Sequence, residues 1–402
     1  MSLQSFWKSY RSSLLMLSGI VIGGLLGWLV PASAVVLAPV GKIFMNLLFV
    51  IIVPMILFSV SSAVCSLNRQ SALARTMLST AIVILLMALL LSVLTYVAML
   101  LYPPFDEQIA TDAVIDAERQ SWGDLIVSMF TVSDFTQLFS IRHILPMMVV
   151  AMFIGIAASH LGNQSIINSL ERCQQLTTEM MNCLMVLAPI GLGCYFADMM
   201  ANSGSMLLTG FGRVLGLYLV LTLILYLLIN PLSAKLSGVS LATYWREMFS
   251  PSLMAVSTLS SSACIPTNIK AAEAMGTPRN IAEAIVSIGT QFYKQGSIVS
   301  CATKVAFVIM LMGEPLNTTN SLLLIIGISV VASVIVGAVP TGAGTAELFI
   351  CSALGADPSV TGLLIVISTL VDMPGTLLNV NGNTVLPVII NRITPTTKNK
   401  EQ

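Results

Sequence analysis

Charge is what this sequence has least of. Lysine and arginine together number 18, and aspartate and glutamate 18, so charged residues make up 9% of the 402. An ordinary soluble domain carries roughly a quarter. So few charges cannot solvate the outside of a globule this size, and most of the surface must face lipid. The net charge of zero excludes a strongly basic nucleic-acid surface. Histidine is scarcer still: His143 and His160 are the whole supply, which argues against a zinc or haem site, and no metal or other cofactor is expected. Seven cysteines, an odd number lying largely in apolar stretches, form neither a disulfide framework nor a metal-ligand spacing. What is abundant is apolar surface, at 56% of residues.

A spanning helix needs about 20 mostly apolar residues. Residues 13–30, 43–64, 77–101, 124–159, 181–200, 206–232, 281–312 and 361–390 supply eight candidates. The fourth is interrupted by Asp134, Arg142 and Pro146 and reads as a broken span. Ala32-Ser33-Ala34 mimics a signal-peptide cleavage site, but the apolar run before it exceeds the ~7–15 residues of a signal core. With the N-terminus cytoplasmic, Arg69, Arg75, Lys235, Arg246 and most other basic residues fall inside, and Lys42 and Arg119 outside. The expectation is an all-α polytopic protein with eight spans, both termini cytoplasmic, in a cell inner (plasma) membrane.

Two further segments are apolar but broken by Ser, Gly or Pro. Residues 249–266 read FSPSLMAVSTLSSSACIP, and residues 322–354 are split by Val339-Pro340-Thr341-Gly342-Ala343-Gly344. Arms this short suit re-entrant helical hairpins whose tips are buried in protein or line a cavity; their extents are about 245–275 and 320–356. Each precedes a span with a polar break in its middle. Ser260 lies 31 residues before Gln291, and Pro340 lies 32 before Asp372. Such an inverted repeat of discontinuous helices marks a transporter's binding site.

Asp372, deep in the last span, is costly unless it meets a cation. It reads either as the partner of a substrate ammonium or bound cation, or as half of a buried pair with Lys294. Lys294 sits too deep to snorkel and reads as a fixed positive charge, a proton carrier or a salt-bridge partner. Ser260, Ser261 and Ser262 offer hydroxyls and N–H groups at a hairpin tip, suited to a carboxylate, or simply cap a helix. Thr376 and Asn379 share one helical face, with Asn383 a turn further, as substrate contacts or interhelical glue. Lys304 is expected to reach the outer interface and is given no role.

The serine tip SSSACIP, the second tip VPTGAG and the run DMPGTLLNVNG, in this order along two hairpins, resemble the glutamate transporter family (dicarboxylate/amino acid:cation symporters). The resemblance covers essentially the whole chain. It implies a homotrimer and an elevator mechanism, with a scaffold mainly at 10–66 and 124–204 and a moving transport part mainly at 77–102 and 206–394. It places Asp372 on a substrate α-amino group and Ser261 on its α-carboxylate. Thr376 and Asn379 fall on substrate-contacting positions, with Ser260, Ser262, Pro340 and Gly342 at the two tips.

The departures point to selectivity. Where acidic-substrate members carry an arginine this chain has Gly375, which removes a bidentate clamp for a side-chain carboxylate. Leu259 replaces an arginine often found beside the tip serines. Tyr293-Lys294-Gln295-Gly296-Ser297 stands where the family has Asn-Met-Asp-Gly-Thr, so one sodium aspartate is Gln295, and a second is Asn383. Tyr293, Gln295 and Asn383 are therefore read as degenerate sodium sites, with Lys294 a tethered cation in sodium's place or a proton carrier. The expected function is secondary transport of a small, non-acidic amino acid, with coupled dicarboxylate or acidic amino-acid symport as the alternative. An intramembrane Ser–Lys hydrolase would explain Lys294 but neither Asp372 nor the repeat.

Overall fold

The computed structural model describes residues 3–67, 74–104, 127, 130–140, 143–338, 344–357 and 360–394. Among these every regular element is helical. The first half contains α1 (Leu3–Leu29), α2 (Pro31–Leu67), α3 (Ala74–Leu101), α4 (Ile144–Leu161), α5 (Gln164–Met185), α6 (Ala188–Ile224) and α7 (Asn230–Leu236). The second half contains α8 (Leu241–Thr258), α9 (Ile265–Ala274), α10 (Arg279–Phe292), α11 (Gln295–Leu311), α12 (Thr319–Ala338), α13 (Thr345–Leu354) and α14 (Val360–Ile393). Six described helices are long and apolar enough to cross a membrane, seven if the pair bent by 61° at 185–188 is one span. Leu14–Leu29 and Pro146–Leu161 are apolar but shorter.

Local chemistry explains several boundaries. Pro31 opens α2, where its missing N–H costs nothing, and α1 ends just before it at Leu29. The interruption expected at Asp134 is a helix start: its carboxylate accepts the Thr136 N–H at 3.0 Å and caps Phe135–Leu138. Residues 181–200 and 206–232, expected as two spans, meet in α6, which is helical from Ala188 to Ile224 but contributes to two membrane segments, Ala188–Ala201 and Gly210–Leu236. Yet the Phe196 and Phe211 rings lie 5.8 Å apart, where a straight helix would separate them by about 22 Å. The chain therefore folds back within α6.

Small residues set the closest helix contacts. A Cβ on Gly19 would lie 2.0 Å from Pro189 O, on Gly23 2.0 Å from Gly193 O, and on Gly27 2.1 Å from Ala197 O. This four-residue repeat lets the α1 and α6 backbones touch, as small-residue seams do in membranes. The expected hairpins are present as helix pairs: α8 packs on α9, and α12 on α13. Against the second pair runs α11, buried at every position except Ser297. Around it lies the main apolar core, which includes Phe211, Phe307, Phe349 and Ile365.

The two spans following the hairpins differ. The first is broken, with Tyr293 (φ −109°, ψ 88°) and Lys294 (φ −118°, ψ 82°) outside helical geometry. The second is not: α14 runs unbroken through Asp372, Pro374, Gly375 and Asn383. The polar break expected there is instead part of a continuous helix, on which Asn379 and Asn381 find partners on neighbouring elements while Asn383 does not.

Candidate functional site

The break between α10 and α11 is held by side chains from two other elements. Asn379 Oδ1 on α14 accepts the Gly296 N–H at 2.9 Å and the Ser297 N–H at 3.4 Å, capping the free start of α11. Tyr218 on α6, fully buried, donates its hydroxyl to Gly296 O at 3.1 Å. Glycine at 296 and 375 is what allows this closeness: a Cβ on Gly296 would lie 2.3 Å from Gly375 O, and one on Gly375 would lie 2.9 Å from the Tyr218 hydroxyl. The side-chain space of Gly375 is thus already taken by Tyr218.

Gln295 is 1% exposed and saturated. Its Nε2 donates to Tyr293 Oη at 2.6 Å and to Asn230 Oδ1 at 3.0 Å, while Asn230 Nδ2 returns a bond to Gln295 Oε1 at 2.8 Å. The three residues form a closed, neutral network with Asn230 at the start of α7. Asn383 differs: it is fully buried, and neither its Oδ1 nor its Nδ2 has a hydrogen-bond partner among the described residues. Of the three positions read as degenerate sodium sites, Gln295 and Asn383 carry neutral amides and Tyr293 a phenol. None supplies the negative charge a hard cation favours among its oxygen ligands.

Lys294 is half-buried at the break and Asp372 is exposed on α14. The two charges are near enough to attract. Among the described residues, however, they form no ion pair or hydrogen bond, and the permanent salt bridge entertained from sequence is not there. Both charges remain available to a ligand. Thr376 is buried on the same helix as Asp372 and Asn379.

The first tip is brought to this region by apolar packing of Ala255 and Cys264 against Val380 and Leu377. Leu259 ends α8 with φ 52°, the sole described non-glycine residue of positive φ, a conformation that strains an L-residue. Ser260 Oγ accepts the Ala263 N–H at 3.3 Å, so this serine caps the turn. Ser261 is 9% exposed and Ser262 open to solvent. Pro340 and Gly342, expected at the second tip, lie outside the described residues.

Lys304 corrects the sequence reading. It does not reach an interface: at 2% exposure it pairs with Glu347 Oε1 at 2.5 Å and donates to Ser368 Oγ at 2.7 Å. An unpaired ammonium on a helix buried on all sides is far costlier than this arrangement. Sequence reasoning missed Glu347, Ser368, Tyr218 and Asn230. A lone carboxylate in the apolar run ELFIC was the available signal for Glu347; nothing local marked the other three. Among the described residues no group of three or more His, Cys, Asp or Glu is placed to hold a metal ion.

Paired apolar hairpins around a broken helix, with polar groups converging at the break, define a helical membrane transporter. The chain belongs to the sodium:dicarboxylate symporter family, whose model matches residues 13–393. It is 20% identical over 384 residues to a proton/sodium-glutamate symport protein of Bacillus subtilis, covering 92% of this chain and 89% of that one. It is 24% identical over 321 residues to a C4-dicarboxylate transport protein of Deinococcus radiodurans, covering 76% and 72%. Its task is transport, which retires the Ser–Lys hydrolase.

Proposed function

We propose that this protein carries a small, non-acidic amino acid across a cell inner membrane as an elevator-type homotrimer, and that it does so without sodium. Asp372 holds the substrate ammonium, and Ser261 with its neighbours Ser260 and Ser262 receives the carboxylate. Thr376 and Asn379 face the remainder. Lys294 supplies, at the break, the positive charge a sodium ion supplies in relatives.

One observation carries the reading. Gln295, in the position of a sodium-binding aspartate, is closed into a neutral network with Asn230 and Tyr293, next to the unpaired ammonium of Lys294. A cation entering there would break three hydrogen bonds and meet a like charge. The Tyr218 hydroxyl beside Gly375 further supports a site without a clamp for a side-chain carboxylate.

The relatives' names favour a second reading, coupled transport of glutamate or a C4-dicarboxylate. Thermal shift of purified protein separates the two, using neutral amino acids, glutamate, aspartate and succinate, each in sodium and in choline. Equal stabilisation by a neutral amino acid in both salts is expected. Stabilisation by glutamate or succinate alone, or in sodium alone, refutes the proposal. Lys294→Met is expected to weaken binding or make it cation-dependent, and normal sodium-independent uptake by that variant would remove Lys294 from the mechanism.

A further inference from the structure

The transport reading leaves one buried, charged cluster unused. Lys304 on α11, Glu347 on α13 and Ser368 on α14 meet where all three helices are packed in apolar surroundings. Lys304 Nζ reaches Glu347 Oε1 at 2.5 Å and Ser368 Oγ at 2.7 Å, and the Ser368 hydroxyl also donates to Glu347 Oε1. The side chains of Lys304 and Glu347 are 2% and 3% exposed. The second carboxylate oxygen, Oε2, accepts the Gly344 N–H at 2.9 Å. Every oxygen of Glu347 is therefore committed, one to the two neighbouring helices and one to the backbone entering α13.

Gly344 is a constrained point. Its φ of +94° suits glycine alone. A Cβ there would lie 2.9 Å from Leu48 Cδ2 and 3.2 Å from Ile52 Cδ1 of α2, and 3.3 Å from Ile365 Cδ1 of α14. The carboxylate that pairs with Lys304 thus also fixes where α13 begins relative to α2. The other arm, α12, has no comparable tie among the described residues; its polar link to α3 is a hydroxyl pair, Ser92 Oγ to Ser329 Oγ at 2.9 Å.

We propose that Lys304, Glu347 and Ser368 are positioning residues, a charge-neutral latch that makes the second arm of the second hairpin one body with α11 and α14. A buried pair of this kind resists separation because parting its members leaves two uncompensated charges in a low-dielectric interior. The second arm, α13, is then held to α11 and α14 by this pair in addition to apolar packing. The inference does not depend on which substrate is carried, so it stands or falls separately from the proposed function.

Hydrogen exchange of the purified, ligand-free full chain tests it. In Glu347→Gln and in Lys304→Met, one charge is stranded, and amides 349–354 are expected to exchange at least about tenfold faster than in the wild type, with those of 380–390 unchanged. Lys304→Arg, which keeps the charge, is expected within about threefold of wild type. The neutral double variant Lys304→Met/Glu347→Leu strands no charge but lacks the latch and the acceptor of the Gly344 N–H, so its 349–354 amides are expected to exchange about threefold or more faster than wild type. If the single variants fail to fold, Ser368→Ala, which keeps both charges and removes the bridging hydroxyl, is expected to accelerate 349–354 about threefold or more. Unchanged exchange in the single variants, a double variant indistinguishable from wild type, or an unaffected Ser368→Ala overturns the latch.

Discussion

Gly296→Ala is the most severe small change the site allows. The added methyl would lie 2.3 Å from Gly375 O and 2.6 Å from Gly375 Cα, whereas carbon contacts are comfortable at about 3.5–4.0 Å. Both obstacles are backbone, so no rotamer relieves them, and α11 must part from α14 by roughly 1 Å to restore contact distance. That displacement carries two hydrogen bonds beyond useful length: Asn379 Oδ1 to Gly296 N, now 2.9 Å, and Tyr218 to Gly296 O, now 3.1 Å. Overpacking costs about 1–3 kcal/mol and each lost bond about 1, giving about 3–5 kcal/mol in all. Thermal unfolding of purified protein reads this as a Tm lower by roughly 4–8 °C, scaled down from the shift expected for smaller domains. Gly216→Ala is the control, since nothing lies within 4 Å of its Cβ in α6; helix propensity alone should then stabilise by about 0.5–1 kcal/mol. A Gly296→Ala protein melting within about 1 °C of wild type would refute the close approach of the two helices.

Four further outcomes follow from the same geometry. Glu347→Gln should lower stability by about 3–5 kcal/mol while Lys304→Met/Glu347→Leu stays near wild type, because stranding one buried charge costs more than removing the pair; comparative melting checks it. Gln295→Leu leaves the Asn230 amide and Tyr293 hydroxyl without their partner and should cost about 1–3 kcal/mol by the same assay. Leu259→Gly should raise Tm, since glycine relieves a left-handed residue by about 1–2 kcal/mol. Arg279→Ala should leave Tm unchanged despite the 2.8 Å contact with Glu283, because that arginine is 73% exposed and the pair is screened by water.

Much of the architecture was legible in the sequence because membranes constrain it so tightly. Scarce charge and long apolar runs forced a helical polytopic protein, and arms interrupted by SSSACIP and VPTGAG marked the helix pairs. The break at Tyr293–Lys294 could be read from a polar stretch inside an apolar span. The same reasoning failed at 372–383, where equally polar residues sit on an unbroken helix. A backbone opens where its N–H and C=O groups find other partners, and those of α14 keep their own while its side chains reach outward. Local polarity does not distinguish these cases. Lys304 was misplaced for a related reason: helix length predicts depth, but only the neighbouring helix shows whether a carboxylate waits there.

Composition and pattern alone thus determined the membrane class, the helical content, the paired hairpins and the residues around which a site could form. Tertiary structure decided which of those residues meet. It closed Gln295 with Asn230 and Tyr293 across 65 residues of sequence, set Tyr218 against Gly296 and Gly375, and joined Lys304 to Glu347 while bringing Lys294 and Asp372 near each other without a direct ion pair. The division has one physical cause. Transfer of a segment into lipid depends on its own side chains and is written locally. Satisfying a buried polar group depends on what packs against it, and that is fixed only when distant segments share one interior.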